Sequence, residues 1–136
     1  MDGMMIADMM KTMPADGMTG MDRAAMQECI EACSMVGMAA TMCADSDTGA
    51  DMARCSSMCA NMADVATTTM RMMMRPAGYD MTSMRAMTTA CIEMGRACSA
   101  ECSAHAEMDE HCRMCAKACD AMVAACERML GSMPAA

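Results

Sequence analysis

Four pairs of cysteines are each separated by three residues: Cys29 and Cys33, Cys55 and Cys59, Cys98 and Cys102, Cys115 and Cys119. On a helix, a spacing of four puts both sulfurs on one face, one turn apart. Each pair falls in one of four long stretches with helical periodicity, on the face expected to point inward. Thiols and thioethers then stand where Leu, Ile and Phe ordinarily pack. Sulfur lining a shielded cavity is a ligand set for a soft metal ion, Cu(I) above all.

The rest of the composition agrees with an unusual core. The 136 residues include 28 Met and 12 Cys but no Phe or Trp. Tyr79 and Leu130 are the only residues of their kinds, beside Ile6, Ile30, Ile92, Val36, Val65 and Val123. The length suits one domain with a single core. Methionine fills that core but specifies its packing weakly, so bound metal is expected to supply part of the rigidity. A net charge of −8 excludes nucleic acid and anionic membrane surfaces as partners. No apolar run reaches the roughly 18 residues of a membrane span. The N-terminus, MDGMMIADMM, has acids where a signal peptide needs basic residues. A cytoplasmic protein with reduced thiols is expected, and an exported form with its leader removed also fits.

The expected fold is all-α, an antiparallel up-down-up-down four-helix bundle. Residues 1–20 form a Met-rich segment in which a short helix ends before Pro14. Residues 21–131 form the bundle, and residues 132–136 a tail. The first long helix runs from about Met21 to Ala44, ended by Asp45-Ser46-Asp47-Thr48-Gly49. The second spans about Ala50 to Arg75, broken by Pro76-Ala77-Gly78. The third, capped by Asp80 or Thr82, reaches His105. After a break near Glu107–Asp109 the fourth ends at Leu130, with Gly131 as its stop. The inward stripe reads Met26, Cys29, Cys33, Val36, Ala40 and Cys43 on the first helix. On the second it reads Met52, Cys55, Cys59, Met62, Ala66, Met70 and Met73. The third contributes Met84, Met87, Cys91, Met94, Cys98, Cys102 and His105. The fourth contributes Met108, Cys112 with His111 beside it, Cys115, Cys119, Met122, Cys126 and Met129. Steps of three and four make this a core pattern, and all twelve Cys fall on it. Met35, Met38 and Met42 lie on the opposite face of the first helix, where the N-terminal segment or a second subunit would cover them.

The chemistry follows from the donors. Cu(I) takes two or three sulfur ligands; thiolates hold it tightly and thioethers weakly. Buried apo thiols stay protonated, and each Cu(I) displaces a proton, which favours about one ion per thiol. The thiolates are thus the main ligands, with the stripe Met and the two His as portal or accessory ligands. One end of the bundle is nearly all thioether: Met26, Met70, Met73, Met84, Met87 and Met129. This Met-lined bottom is the expected mouth, with His105, His111 and Met108 marking the top as a competing one. Lys11, Arg23, Arg71, Arg75, Arg85 and Arg128 gather at the bottom, where an acidic copper donor or acceptor protein could dock. Two alternatives stand beside a Cu(I) store. One is a thiol- or disulfide-stabilised structural bundle. The other is a zinc or iron–sulfur protein, for which Cys112-x-x-Cys115 has the spacing but lacks a partner motif. No enzyme constellation is present.

With Cys-x-x-x-Cys on every helix, inward Cys along the bundle, and Met or His near an end, residues 21–130 resemble the bacterial copper storage proteins. The resemblance implies a four-helix bundle storing many Cu(I) ions per chain and assembling as a tetramer, in cytosolic or exported forms. This chain departs from the family in its methionines, notably Met62, Met94 and Met122, which stand where further Cys could be.

Overall fold

The structure, a computed structural model, describes residues 3–13 and 20–134. Pro14 lies outside the described residues, as does the end of the expected tail. Regular structure among the described residues is entirely helical: α1 Gly3–Lys11, α2 Arg23–Ser46, α3 Ala53–Met73, α4 Met81–Ser103 and α5 Glu110–Ser132. Single 3₁₀ turns, Ala50–Met52 and Pro76–Gly78, precede α3 and α4.

Local chemistry sets the helix ends. The Asp22 side chain accepts from the Ala25 N–H at 3.1 Å, and Asp80 accepts from the Ser83 N–H at 3.0 Å. Both satisfy an otherwise orphaned donor of the first turn, so Asp80 rather than Thr82 caps α4. Helix α2 continues through Asp45 and Ser46, both expected in the turn, until the Asp47 N–H closes on the Cys43 carbonyl. Helix α4 stops at Ser103, which leaves His105 in the following turn.

Each long helix packs on two others: α2 on α3 and α5, and α4 on α3 and α5. A central buried seam follows steps of three and four: Met26, Cys29, Cys33, Val36, Ala40 and Cys43 on α2, and Cys112, Cys115, Cys119, Met122, Cys126 and Met129 on α5, flanked by buried Ala25, Ile30, Gly37, Ala116 and Ala125. On α3 and α4 the same alternation corrects the expected stripe. Thr69, Thr88 and Gly95 are buried, whereas Met70, Met87 and Met94 are only half-buried. The phase is set by Cys55–Cys59–Met62 and by Cys91–Cys98–Cys102, and it lands on the small residue each time. Thr can sit inside because its hydroxyl donates to the carbonyl one turn back, Thr69 to Val65 at 2.7 Å and Thr88 to Met84 at 2.8 Å.

Gly95 is required by the α4–α5 contact. A Cβ there would lie 2.5 Å from Met122 Cε and 2.7 Å from Val123 Cγ2. Methionine can swing aside, but the valine methyl cannot. Gly95→Ala is therefore expected to cost about 1–3 kcal/mol through overpacking, read as a lower urea midpoint of the metal-free protein. An unchanged midpoint would mean that α4 and α5 are free to separate.

The bottom end is closed. Met26, Met73, Met84 and Met129 are fully buried or nearly so, and Met21 and Met133 are buried in the same core. The Tyr79 hydroxyl donates to the Met73 carbonyl and lies 3.4 Å from Met26 Sδ. Burial pushes its pKa up to about 12. Helix α1 packs on α2 with Met10 buried. It leaves Met35, Met38 and Met42 exposed. No helix among the described residues is long and apolar enough to cross a membrane.

Candidate metal centre

All twelve cysteines are buried free thiols. Their sulfurs form two groups along the helices. The upper one begins where α2 ends and α3 and α5 start. Cys43 lies 3.9 Å from Cys112, and Cys55 lies 4.0 Å from Cys112 and 3.9 Å from Cys102. One turn deeper, Cys59 is 3.5 Å from Cys102, 3.9 Å from Cys115 and 3.8 Å from Cys98. The lower group joins Cys29 and Cys33 to Cys126, at 2.8 and 3.9 Å. Between the groups lie Val36, Met62 and Met122, all fully buried. The Met122 thioether sits 3.6 Å from Cys91 Sγ and 3.5 Å from Cys126 Sγ.

These spacings suit a shared soft ion. Three sulfurs around one ion at about 2.3 Å stand about 4 Å apart. Three sets of four ligand atoms meet that condition, each with every atom within 4.8 Å of the others: Cys43/Cys55/Cys59/Cys102, Cys59/Cys98/Cys102/Cys115 and Cys43/Asp47/Cys55/Cys112. The three-thiol set Cys29/Cys33/Cys126 does so as well. Because the upper sets share members, several ions would be bridged by common thiolates. With shared thiols as the main donors and the Met122 thioether beside Cys126, the set favours Cu(I) over zinc.

Protonation is uneven. Burial is the leading cause that pushes the Cys43, Cys55 and Cys112 thiols up. Hydrogen bonding to Cys126 is the leading cause at Cys29, Cys33 and Cys91, the last pushed up to about 12. The shared acceptors move the other way. Cys126 is held down by donors at Cys29, Cys33 and Cys91, and Cys115 by Cys102, Cys119, Cys59 and Cys98. The lower group thus has one sulfur shifted toward the thiolate, Cys126, and the upper group has two, Cys115 and Cys102.

Residues 19–131 match the copper storage protein family. The chain belongs to that family. Its structure is similar to that of the copper storage protein Ccsp from Streptomyces lividans loaded with 10 copper equivalents, with a TM-score of 0.90 at 40% identity, covering 94% of this chain and 99% of that one. A single-histidine variant of Ccsp is similar over 85% of this chain and 99% of that one, at 40% identity and a TM-score of 0.82. A five-copper structure of the same protein, described as a cytosolic copper storage protein, covers 80% of this chain and 94% of that one at 41% identity and a TM-score of 0.78. No curated protein sequence matches the chain.

For a copper storage family member, the remaining expected donors are placed unequally. His111, 32% exposed at its side chain, directs Nδ1 to within 3.4 Å of Cys43 Sγ and 3.5 Å of Cys112 Sγ. His105 instead bonds Glu101 at 3.1 Å, and Glu101 in turn holds Arg54. Met108 is 90% exposed in the turn before α5. The rim expected at the bottom is partly neutralised, because Arg128 pairs with Glu28 and Lys11 with Asp8.

Asp47 was not legible as a site residue. Its side chain is fully buried; Oδ1 lies 3.6 Å from Cys112 Sγ and 3.5 Å from His111 Nδ1, and Oδ2 has no hydrogen-bond partner. A buried carboxylate oxygen without a partner is costly, and a cation among these donors would satisfy it. Its spacing of four from Cys43 was the available signal, but it fell in a stretch that reads as a turn.

Proposed function

We propose that this protein stores many Cu(I) ions in the interior of an antiparallel up-down-up-down four-helix bundle spanning residues 21–131. Residues 1–20 form an accessory segment and residues 132–136 a tail. The single observation that carries this is that all twelve thiols are buried and free and stand in two close-packed groups along the helices, with Met122 between them. The antiparallel order is supported by Cys29 meeting Cys126 while Cys43 meets Cys112, so α2 and α5 run in opposite directions. The twelve Cys are the main ligands. Met122 and Met62 are accessory thioethers between the thiol groups, with Met26, Met52, Met73, Met84 and Met129 nearer the ends. His111 and Asp47 serve the upper sets. The role is storage without catalysis, and the cytosolic relative supports a cytoplasmic location. The exposed stripe of Met35, Met38 and Met42 is the surface we assign to self-association, as a tetramer of bundles.

The test is an anaerobic titration of reduced protein with Cu(I) against a chromogenic competing chelator. Uptake approaching one ion for each of the twelve thiols, before the chelator colours, is expected. About one proton should be released per ion. Uptake of a single ion or a pair would make the protein a carrier, and none would leave a thiol-stabilised structural bundle.

A further inference from the structure

A second gathering of sulfur lies outside the thiol core. Where α1 crosses the lower part of α2, a cavity of about 200 Å³ is lined by Ile6, Met9, Met10, Met13, Ile30 and Met74. Four methionines from two separate parts of the chain therefore line one half-open space, and no charged residue lines it. Met9 and Met10 lie on the last turn of α1 and Met13 two residues past its end, and all three reach the same cavity. Met10 is almost completely buried, while Met9 and Met74 remain 60% and 41% exposed. The site would thus be anchored on its inner side and open to exchange on its outer side.

Backbone electrostatics point the same way. Met9 and Met10 occupy the last turn of α1, and Met13 lies just beyond it, with its N–H on the Met10 carbonyl. Met74 is the C-cap of α3. Two helix C-termini, each carrying the negative end of a helix dipole, therefore converge on the cavity and favour a cation there. Thioethers are neutral and soft. They hold a soft monovalent ion such as Cu(I) without the proton loss that thiolates require, and they discriminate against zinc and harder ions.

We propose that Met9, Met10, Met13 and Met74 form a separate thioether Cu(I) site beside the thiol core, which holds its ion more weakly and exchanges it more readily. Copper as the occupant rests on the storage function proposed above; the softness of the site rests on its donors alone. The exposed Met9 and Met74 make it accessible from solvent when the core is full.

The experiment uses the full chain with ¹³C-methyl-labelled methionine, reduced and anaerobic. Cu(I) is added as its acetonitrile complex, first until no reactive thiol remains and then in excess. In the second stage the methyl resonances of Met9, Met10, Met13 and Met74 should shift together, with one further equivalent retained. The isolated, exposed Met108 and Met114 should stay in place. The variant Met9→Leu/Met10→Leu/Met13→Leu/Met74→Leu, which keeps the apolar contact of α1, should lose that equivalent and keep the full thiol complement. Four unmoved resonances beside a filled core would overturn the site and leave the store intact. So would equal shifts at Met108 and Met114, or an undiminished extra equivalent in the variant. Shifts at the four methionines while the thiols stay empty would support the site and overturn the store.

Discussion

Metal-free protein is expected to lose its fold between about pH 9 and pH 10.5, while the Cu(I)-loaded protein is not. Nine thiols are pushed above their ordinary value of 9.0: Cys29, Cys33, Cys43, Cys55, Cys59, Cys91, Cys98, Cys112 and Cys119. A thiol is neutral when protonated, so a raised pKa means that the folded state keeps a proton which the unfolded chain gives up. Stability from such groups is complete below the unfolded pKa and declines as pH rises past it. Each group removes at most about 1.4 kcal/mol per pH unit. Cys43, Cys55 and Cys112, nearest the upper end of the helices, should contribute least. Even so, nine groups shifted in the same direction weaken the fold steeply as pH rises, against a whole-domain stability of only about 5–15 kcal/mol. Cys102, Cys115 and Cys126 shift downward, so the stability they add is complete once pH exceeds the unfolded pKa and does not slow the decline. Urea unfolding followed by circular dichroism, anaerobically from pH 7.5 to 10.5, measures the effect. Bound thiolates have no proton to lose, so the loaded curve should be flat. A flat curve for the metal-free protein would show that water already reaches the sulfurs.

The contrast shows which level of structure the sequence carries. The cysteine pairs at a spacing of four, with the turn from Asp45 to Gly49, Pro76 and the Asp80 cap between them, made four helices and an inward thiol stripe legible, because periodicity, breakers and capping are local. Register was less legible. Choosing Met70 over Thr69, Met87 over Thr88 and Met94 over Gly95 ranks neighbours by apolarity, whereas the seam follows a strict geometric alternation. Threonine enters it by bonding its own backbone, and glycine by making room for Met122. Asp47 and His111 differ for another reason. They lie 64 positions apart, and only the closing of the α2 end over the start of α5 brings both onto Cys43 and Cys112. Met108, three positions from His111, is carried outward by the turn that delivers the histidine. Proximity in sequence was no guide there.

Copper is expected to enter at that upper end. The sequence favoured the opposite, Met-lined end as the mouth, but Met26, Met73 and Met129 have no exposed surface, and Tyr79 packs on Met26 and Met73. By contrast, His111 reaches solvent with one side of its ring while Nδ1 touches two thiols. The Asp47 carboxylate beneath it is acceptor-only when ionised and lacks a partner at Oδ2. An ion arriving there would exchange water for imidazole and carboxylate, then for Cys43 and Cys112, without crossing an apolar layer. Replacing His111→Ala together with Asp47→Asn is therefore expected to slow loading from a chelated donor by about ten- to a hundredfold, the usual cost of losing groups that support a metal site. The final number of ions should barely change, because the deeper thiols are untouched. Stopped-flow loading at limiting Cu(I) separates the two quantities. The complementary variant replaces Met26, Met70, Met73, Met84, Met87 and Met129 with Leu, and it should load at the wild-type rate. If that variant is the slow one and the His111/Asp47 variant loads normally, copper passes Tyr79, and the bottom end must open to admit it.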